Sequence, residues 1–254
     1  MRIAISGSAN LGKSTLIKDF LQEWPMYGYE VTSYRNIVAE KQLPHSKQTT
    51  KETQKAILEC MVDSLKQFNK DDKVIFDRCP LDNLVYSMWG LSQENNDIDE
   101  EFISECIPIV RKALENLDII FFIPITKFNK IQVEENGKRE TDENYIKEID
   151  NFFKVLQRHY HEHPQDNPFF PRDESPALIE VFGTPEERLE MIKLYLDNEG
   201  DLIGGDGSST DLFNPENLDM MEKLLESQGI AHKEELQLKD QIEAFKELHE
   251  KSKK

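Results

Sequence analysis

The sequence predicts a doubly wound α/β fold: a five-stranded parallel sheet covered by helices on both faces, with a helical appendage at the C-terminus. Three observations predict it. Short apolar runs alternate with helical stretches from residue 2 to about residue 197, the β-α-β-α order of a parallel sheet with right-handed crossovers. Three of those runs, around Ile75, Phe121 and Ile179, are apolar at consecutive positions, as expected of strands buried on both faces in the middle of a sheet. A glycine-bearing turn joins the first run to the first helical stretch.

The strands are expected over Arg2–Gly7, Tyr29–Tyr34, Lys73–Asp77, Leu117–Ile125 and Ala177–Phe182. Helices are expected over Lys13–Glu23, Lys51–Asn69, Leu81–Leu91, Glu100–Asn116 and Asp142–His161. A last one runs from Pro185 to about Asp197, where Thr184 is the cap, proline takes the first helical position and two glutamates sit in the first turn. Residues 200–213 break this pattern. The segment GDLIGGDGSSTD carries four glycines and three aspartates and is expected to be a flexible linker. Two amphipathic helices are expected beyond it, one with Leu218, Met221 and Leu225 on a face, the other with Leu238, Ile242 and Phe245. The domain expectation is therefore 1–199, a linker at 200–213 and a helical tail at 214–254. The tail is expected either to dock a protein partner or second copy, or to fold back on the domain.

Composition bounds the function. The 254 residues suffice for one sizeable domain and an appendage, and the net charge of −18 disfavours broad binding to nucleic acid or anionic lipid. A local basic site inside an acidic protein is still compatible with it. Cys60, Cys79 and Cys106 have no metal-ligand spacing, which suits a reducing compartment. The N-terminus has no signal-peptide pattern, and no apolar run reaches the roughly 20 residues of a membrane span. The expectation is a cytoplasmic protein with no membrane partner.

Gly7-Ser8-Ala9-Asn10-Leu11-Gly12-Lys13-Ser14 matches G-x-x-x-x-G-K-[ST] at every fixed position. A strand is expected before it and a helix after it. Such a turn points successive backbone N–H groups at an anion, and the helix adds its positive end. Lys13 can reach the β- and γ-phosphates of a nucleotide, and the Ser14 hydroxyl can ligate Mg²⁺. The bland alternative is a chance glycine turn before a helix. Asp77, at the end of the third strand, can hold a magnesium-bound water beside this loop, or cap the helix that follows; both can be true. ATP with Mg²⁺ is thus expected at residues 7–15, including Thr15, in a three-layer sandwich of the P-loop type.

The run Asp77-Arg78-Cys79-Pro80-Leu81-Asp82-Asn83-Leu84-Val85-Tyr86 resembles the D-R-x-x-x-D-x-x-x-Y signature of small P-loop kinases, among them thymidylate-kinase-like and deoxynucleoside-kinase-like families. It is most similar to the AAA-type ATPase/kinase family that contains nicotinamide riboside kinase domains and many bacteriophage proteins. Gly137-Lys138-Arg139 with downstream Ile149-Asp150 is similar to that family's lid, placed at about 126–142. Phe182-Gly183-Thr184-Pro185-Glu186-Glu187-Arg188 is similar to its fifth strand and adenine-proximal turn. The resemblance covers residues 1 to about 197. It implies transfer of the γ-phosphoryl group of ATP to a nucleoside or nucleoside monophosphate in the cytoplasm, that of the host for a protein of phage origin. It implies that Lys13, Asp77, Arg78 and the lid residue Arg139 are catalytic, with Lys138 as an alternate for the last. Arg35, Arg78, Asp82 and Tyr86 would meet the acceptor. Gln54 falls where relatives use an amide to read a base, or is a solvent-facing helix residue.

One departure bears on the acceptor. Relatives carry a glutamate at the end of the second strand as general base, whereas here Thr32-Ser33-Tyr34-Arg35-Asn36 offers no acid before Glu40. A phosphate acceptor needs no base, so the departure tilts the expectation toward a phosphorylated acceptor held by Arg35 and Arg78. Otherwise Asp77 or Glu40 must serve. Two rival classes remain. A GTPase is disfavoured because Thr126-Lys127-Phe128-Asn129 lacks the acid of a guanine reader and Pro80 stands where a third-strand glycine should. A regulatory or scaffold ATPase would use the tail to dock a partner. A base or end in DNA is a further acceptor class, against which the acidic composition counts. His159 and His163 share a helix face but have no evident third ligand, and Pro164 ends that helix. Trp89, Leu84 and Met88 are expected to pack.

Overall fold

The computed structural model describes residues 1–31, 34–127, 141–162 and 176–203. Five parallel strands, β1 (Arg2–Ser6), β2 (Gly28–Glu30), β3 (Val74–Asp77), β4 (Ile119–Phe122) and β5 (Ala177–Glu180), form one sheet in the order β2-β3-β1-β4-β5. The helices are α1 (Lys13–Glu23), α2 (Tyr34–Glu40), α3 (Lys51–Leu65), α4 (Pro80–Leu91), α5 (Glu100–Leu114), α6 (Glu143–Glu162) and α7 (Pro185–Lys193). A 3-10 turn at Ser46–Gln48 joins α2 to α3.

Strand period explains the two cores. On β1, Ile3 and Ile5 face one side and Ala4 the other. Ile3, Ile5, Ile75 and Phe121 cluster with Leu16 and Phe20 of α1 and Ile192 of α7. Ala4, Phe76, Ile120 and Phe122 cluster with Leu84 of α4, Val110 of α5 and Phe153 of α6. Both faces of the central strands are therefore dry, and the architecture is the expected three-layer sandwich. β1 is central: Ile3 lies beside Ile75 of β3 and Ile119 of β4. The turn after β1 consequently opens where connections leave to either side, the position at which open α/β sheets bind ligands.

Four details differ from expectation. β5 is an edge strand, with Ala177, Ile179 and Glu180 only half-buried, although its apolar run suggested an interior one. Ile179 gets its cover from α7's side of the core rather than from a sixth strand. β2 stops at Glu30, because as the other edge it pairs with β3 alone over Gly28–Glu30. Tyr34 and Arg35 open α2 instead of ending that strand. α3 and α7 end earlier than expected, at Leu65 and Lys193.

The main chain past α7 folds back on α1's end. Trp24 Nε1 donates to the Asp197 carbonyl at 2.7 Å and the Tyr27 hydroxyl to the Gly200 carbonyl at 2.5 Å. Gly200 has φ 74°, and a Cβ there would come within 2.6 Å of the Tyr27 ring. Lys73 pairs with Asp201 at 2.9 Å, and Ile203 N donates to the Tyr195 carbonyl at 2.9 Å. Packing thus continues to Ile203, into the stretch expected to be linker. The remaining linker and the tail at 214–254 lie outside the described residues. Among the described residues no helix is long and apolar enough to cross a membrane.

Candidate functional site

The turn between β1 and α1 is shaped for an anion. Gly7 has φ 136°, and a Cβ there would sit 2.6 Å from the Ile123 carbonyl oxygen, so only glycine fits. Gly12, the cap of α1, is left-handed at φ 82°, and so is Asn10 at φ 60°. Alternating backbone sense of this kind builds an anion-binding nest. Ala9 through Thr15 line the mouth of the main cavity. The Ser8 hydroxyl is buried without a hydrogen-bond partner, while Ser14 and Thr15 are exposed at the start of α1.

Lys13 is buried, and its ammonium donates to the Ser8 carbonyl. Burial drives its pKa down to about 7, the nearby Arg78 charge adds to the effect, and the Asp77 and Asp82 carboxylates oppose it. A cation held this reluctantly gains from a polyanion placed against it. The glycine that cannot be replaced and the desolvated ammonium together fit a polyphosphate at the turn. Ser14 and Asp77 both line the cavity, and their oxygens are of the hard kind that would suit Mg²⁺.

Asp77 ends β3 opposite Ile5, half-buried at the cavity wall. It does not cap α4. That role belongs to Cys79, which exchanges capping bonds with Asp82. Arg78 follows Asp77 with φ 78°, a conformation unusual for a residue with a side chain. Its backbone N–H donates to the Ile5 carbonyl at 3.1 Å. Its guanidinium donates to the Gly7 carbonyl at 3.1 Å and to Asp82 at 2.7 Å, reaches the Tyr86 hydroxyl at 3.4 Å, and lies 5.4 Å from that ring's centre. Asp82 is 1% exposed and also accepts from Ser6 Oγ at 2.6 Å and from Cys79 N at 3.1 Å. Arg78 and Asp82 therefore form a buried ion pair that ties the start of α4 to the root of the phosphate turn. Both also line the cavity with Tyr86.

The cavity, about 640 Å³, runs past the phosphate turn into a second lobe walled by α2, the 3-10 turn, α3 and α4. Arg35, exposed on α2, lines this part of the cavity, and its guanidinium lies 5.7 Å from the Tyr34 ring centre. Glu40, one of two candidate bases, is exposed and does not line the cavity. Asp77, the other, does. Gln54 is 4% exposed rather than solvent-facing. It donates to Thr49 Oγ1 at 2.7 Å and accepts from Asn83 Nδ2 at 2.6 Å. Asn83 Oδ1 is buried without a partner. Arg139, Lys138 and the rest of the expected lid over 128–140 lie outside the described residues, as do Asn129 and His163. Trp89 packs in the core and donates to Glu148 at 2.7 Å.

Sequence reasoning gave no role to Asn83, His45 and Tyr145, which also line the cavity, nor to Arg188. Arg188 is 4% exposed and donates to the Leu11 carbonyl of the phosphate turn at 2.7 Å. A signal for it existed: it stands on the same face of α7 as Met191 and Ile192, three and four residues on, and those are the helix's buried positions.

A family model described as an AAA domain matches residues 2–166. No curated protein matches the chain. Among solved structures, a deoxyadenosine kinase from M. mycoides, with dCMP and a flexible dCDP bound, is 18% identical. That match covers 76% of this chain and 96% of the kinase, with a TM-score of 0.49. A NadR protein in complex with NR is 16% identical over 91% of this chain and 52% of its own, with a TM-score of 0.48, so the chain spans about half of that protein. A thymidylate kinase from Candida albicans is 15% identical over 76% of this chain and 89% of its own, with a TM-score of 0.43.

Proposed function

We propose that this chain, which belongs to the AAA domain family of P-loop NTPases, is an ATP-dependent phosphotransferase acting on a nucleoside or nucleoside monophosphate. The observation that carries the proposal is that one cavity contains both the phosphate turn and a second, partly apolar lobe with a cation at its rim. The cavity has the size of a small-molecule site, and Val38, Ile57 and Met61 give it an apolar wall in addition to the phosphate turn.

In this reading the N–H groups of residues 7–15 and the Lys13 ammonium hold the triphosphate. Ser14 and Asp77 would hold Mg²⁺, whose charge would offset what develops on the phosphoryl oxygens. Arg78 keeps the turn and α4 in register and presents its outer face to the acceptor. An acceptor oxygen bonds to the γ-phosphorus as the bond to the β,γ-bridging oxygen breaks, and ADP leaves. A phosphate acceptor is already ionised, so no proton moves; a hydroxyl acceptor gives its proton to Asp77, the carboxylate on the cavity wall. Arg35 faces the acceptor's phosphate. Gln54 and Asn83, bonded to each other at 2.6 Å, both line the cavity and are the amides assigned to the acceptor's ring. Arg139 is assigned the transferring phosphoryl group from its place in the sequence.

The test is transfer from γ-labelled ATP to nucleosides, nucleoside monophosphates and oligonucleotides in parallel. Labelled nucleotide from one of the first two classes is expected. Label only on oligonucleotide moves the activity to DNA, and slow hydrolysis with no labelled acceptor replaces the kinase with an ATPase.

A further inference from the structure

Arg188 is a buried cation that the phosphotransfer reading leaves unused. It lies on α7, far along the chain from the phosphate turn. Its Nε donates to the Gly183 carbonyl at 3.0 Å and its Nη1 to the Leu11 carbonyl at 2.7 Å. These acceptors are two backbone oxygens, and no salt bridge to a carboxylate is made among the described residues. Burial lowers its pKa. An Arg in such a place is costly unless it does something a neutral residue cannot.

Three features fit around it. A Cβ on Gly12 would lie 3.1 Å from Arg188 Nη1, so the glycine leaves room for the guanidinium. Gly183 has φ 88°, and a Cβ there would lie 2.3 Å from Glu187 Oε2. Glu187 in turn accepts from Thr184 N at 2.7 Å, closing the box that starts α7 and aims Arg188 inward. The peptide geometry supplies the consequence. Among the described residues there are no cis peptides, and in a trans peptide the C=O and the next N–H point in opposite directions. Holding the Leu11 carbonyl on Arg188 turns the Gly12 N–H away from it.

We propose that Arg188 is a positioning residue for the phosphate cradle, fixing the Leu11–Gly12 peptide so that its N–H serves the triphosphate, and coupling the β5–α7 turn to that cradle. The inference rests on the nucleotide-binding reading above. Arg188 does not line the cavity, so it acts through the backbone, and its effect belongs to the phosphates and not to the base.

The experiment is calorimetric titration of the full chain with Mg·ATP, Mg·GTP and Mg·tripolyphosphate. The variants are Arg188→Ala, Arg188→Lys and Met191→Ala, a core truncation one turn along the same face that touches no phosphate-turn atom in the bonds above. All are measured below their unfolding temperatures. Arg188→Ala is expected to weaken every phosphate ligand by the same factor, about 10- to 100-fold, the worth of a charged hydrogen bond. Arg188→Lys, which cannot reach both carbonyls, should fall between; it carries the test if the alanine variant does not fold. Met191→Ala should bind like the wild type. Unchanged affinity in both Arg188 variants overturns the proposal. So does a loss for ATP that spares tripolyphosphate, which would mean a base-side role, or an equal loss in Met191→Ala, which would mean a merely structural one. Wild-type protein that takes up none of the three ligands fails the nucleotide reading itself, and this proposal with it.

Discussion

Lys13 and Arg78 show how burial gives a single side chain its function. Burial pushes the Lys13 pKa down to about 7, so the neutral amine should be well populated in the free protein at pH 8. A bound triphosphate favours the ammonium, so its pKa rises on binding. Binding at pH 8 should therefore take up protons, and binding at pH 6 should take up few through this group. Calorimetry in buffers of different ionisation enthalpy reads this directly; heats independent of buffer at pH 8 would contradict the assignment. Lys13→Ala should cost at least about 100-fold in transfer rate, the scale of such electrostatic contributions, and a rate within a few-fold of wild type would remove Lys13 from the mechanism. Arg78 is bonded to both Asp82 and the Gly7 carbonyl. Arg78→Ala should therefore weaken ATP as well as acceptor, and cost about 3 kcal/mol of stability by leaving Asp82 buried without its cation. Chemical denaturation and separate titrations of the two ligands check the two parts.

At the scale of elements, starts matter more than middles. The residue after β1 must lack a Cβ, because the Ile123 carbonyl closes on Gly7 from β4's end. Gly7→Ala should abolish nucleotide uptake while the far-ultraviolet spectrum stays close to wild type; retained affinity would mean that the turn is not the cradle. α7 starts on a reciprocal cap between Thr184 and Glu187. Thr184→Ala should cost about 1 kcal/mol, as caps do, seen as a lower denaturation midpoint. Burial at the start of α4 and inside α5 also sets thiol chemistry. Cys79 sits where burial pushes its pKa up to about 12, and Cys106 to about 11. Native protein should react with a thiol reagent at half-buried Cys60 well before the other two, and rapid labelling of Cys79 would mean that the Ser6–Cys79–Asp82 cluster opens.

For the whole molecule, the order β2-β3-β1-β4-β5 puts the phosphate turn at the centre of one sheet edge. Helices α1 and α7 flank it on one face, and α3 and α4 on the other. The last described turn closes the assembly far from the site, through Trp24, Tyr27 and Lys73. Tyr27→Phe removes one bond of that clasp and should lower stability by about 1 kcal/mol while leaving Mg·ATP affinity unchanged. A change in affinity would show that the clasp communicates with the cradle.

The sequence by itself determined what local pattern can carry. Runs such as Ile119–Phe122 announce a strand dry on both faces, and Gly7 to Ser14 announce a phosphate turn, because glycine conformation and helix ends act over a few residues. Thr184 to Glu187 announce a cap for the same reason. Only the tertiary structure decided what depends on neighbours distant in the chain. Ile179 resembles Ile120 in its run, yet β5 lies at an edge, since strand order follows from which helices cover which face. Tyr34 and Arg35 continue a strand-like run but open a helix, since an edge strand has one ladder to hold it. Arg78, Gln54, Asn83 and Arg188 found their partners when the chain brought β1, α3, α4 and α7 together. Their hydrogen-bond partners lie up to 177 residues away, a separation over which residue spacing carries no information and packing supplies all of it.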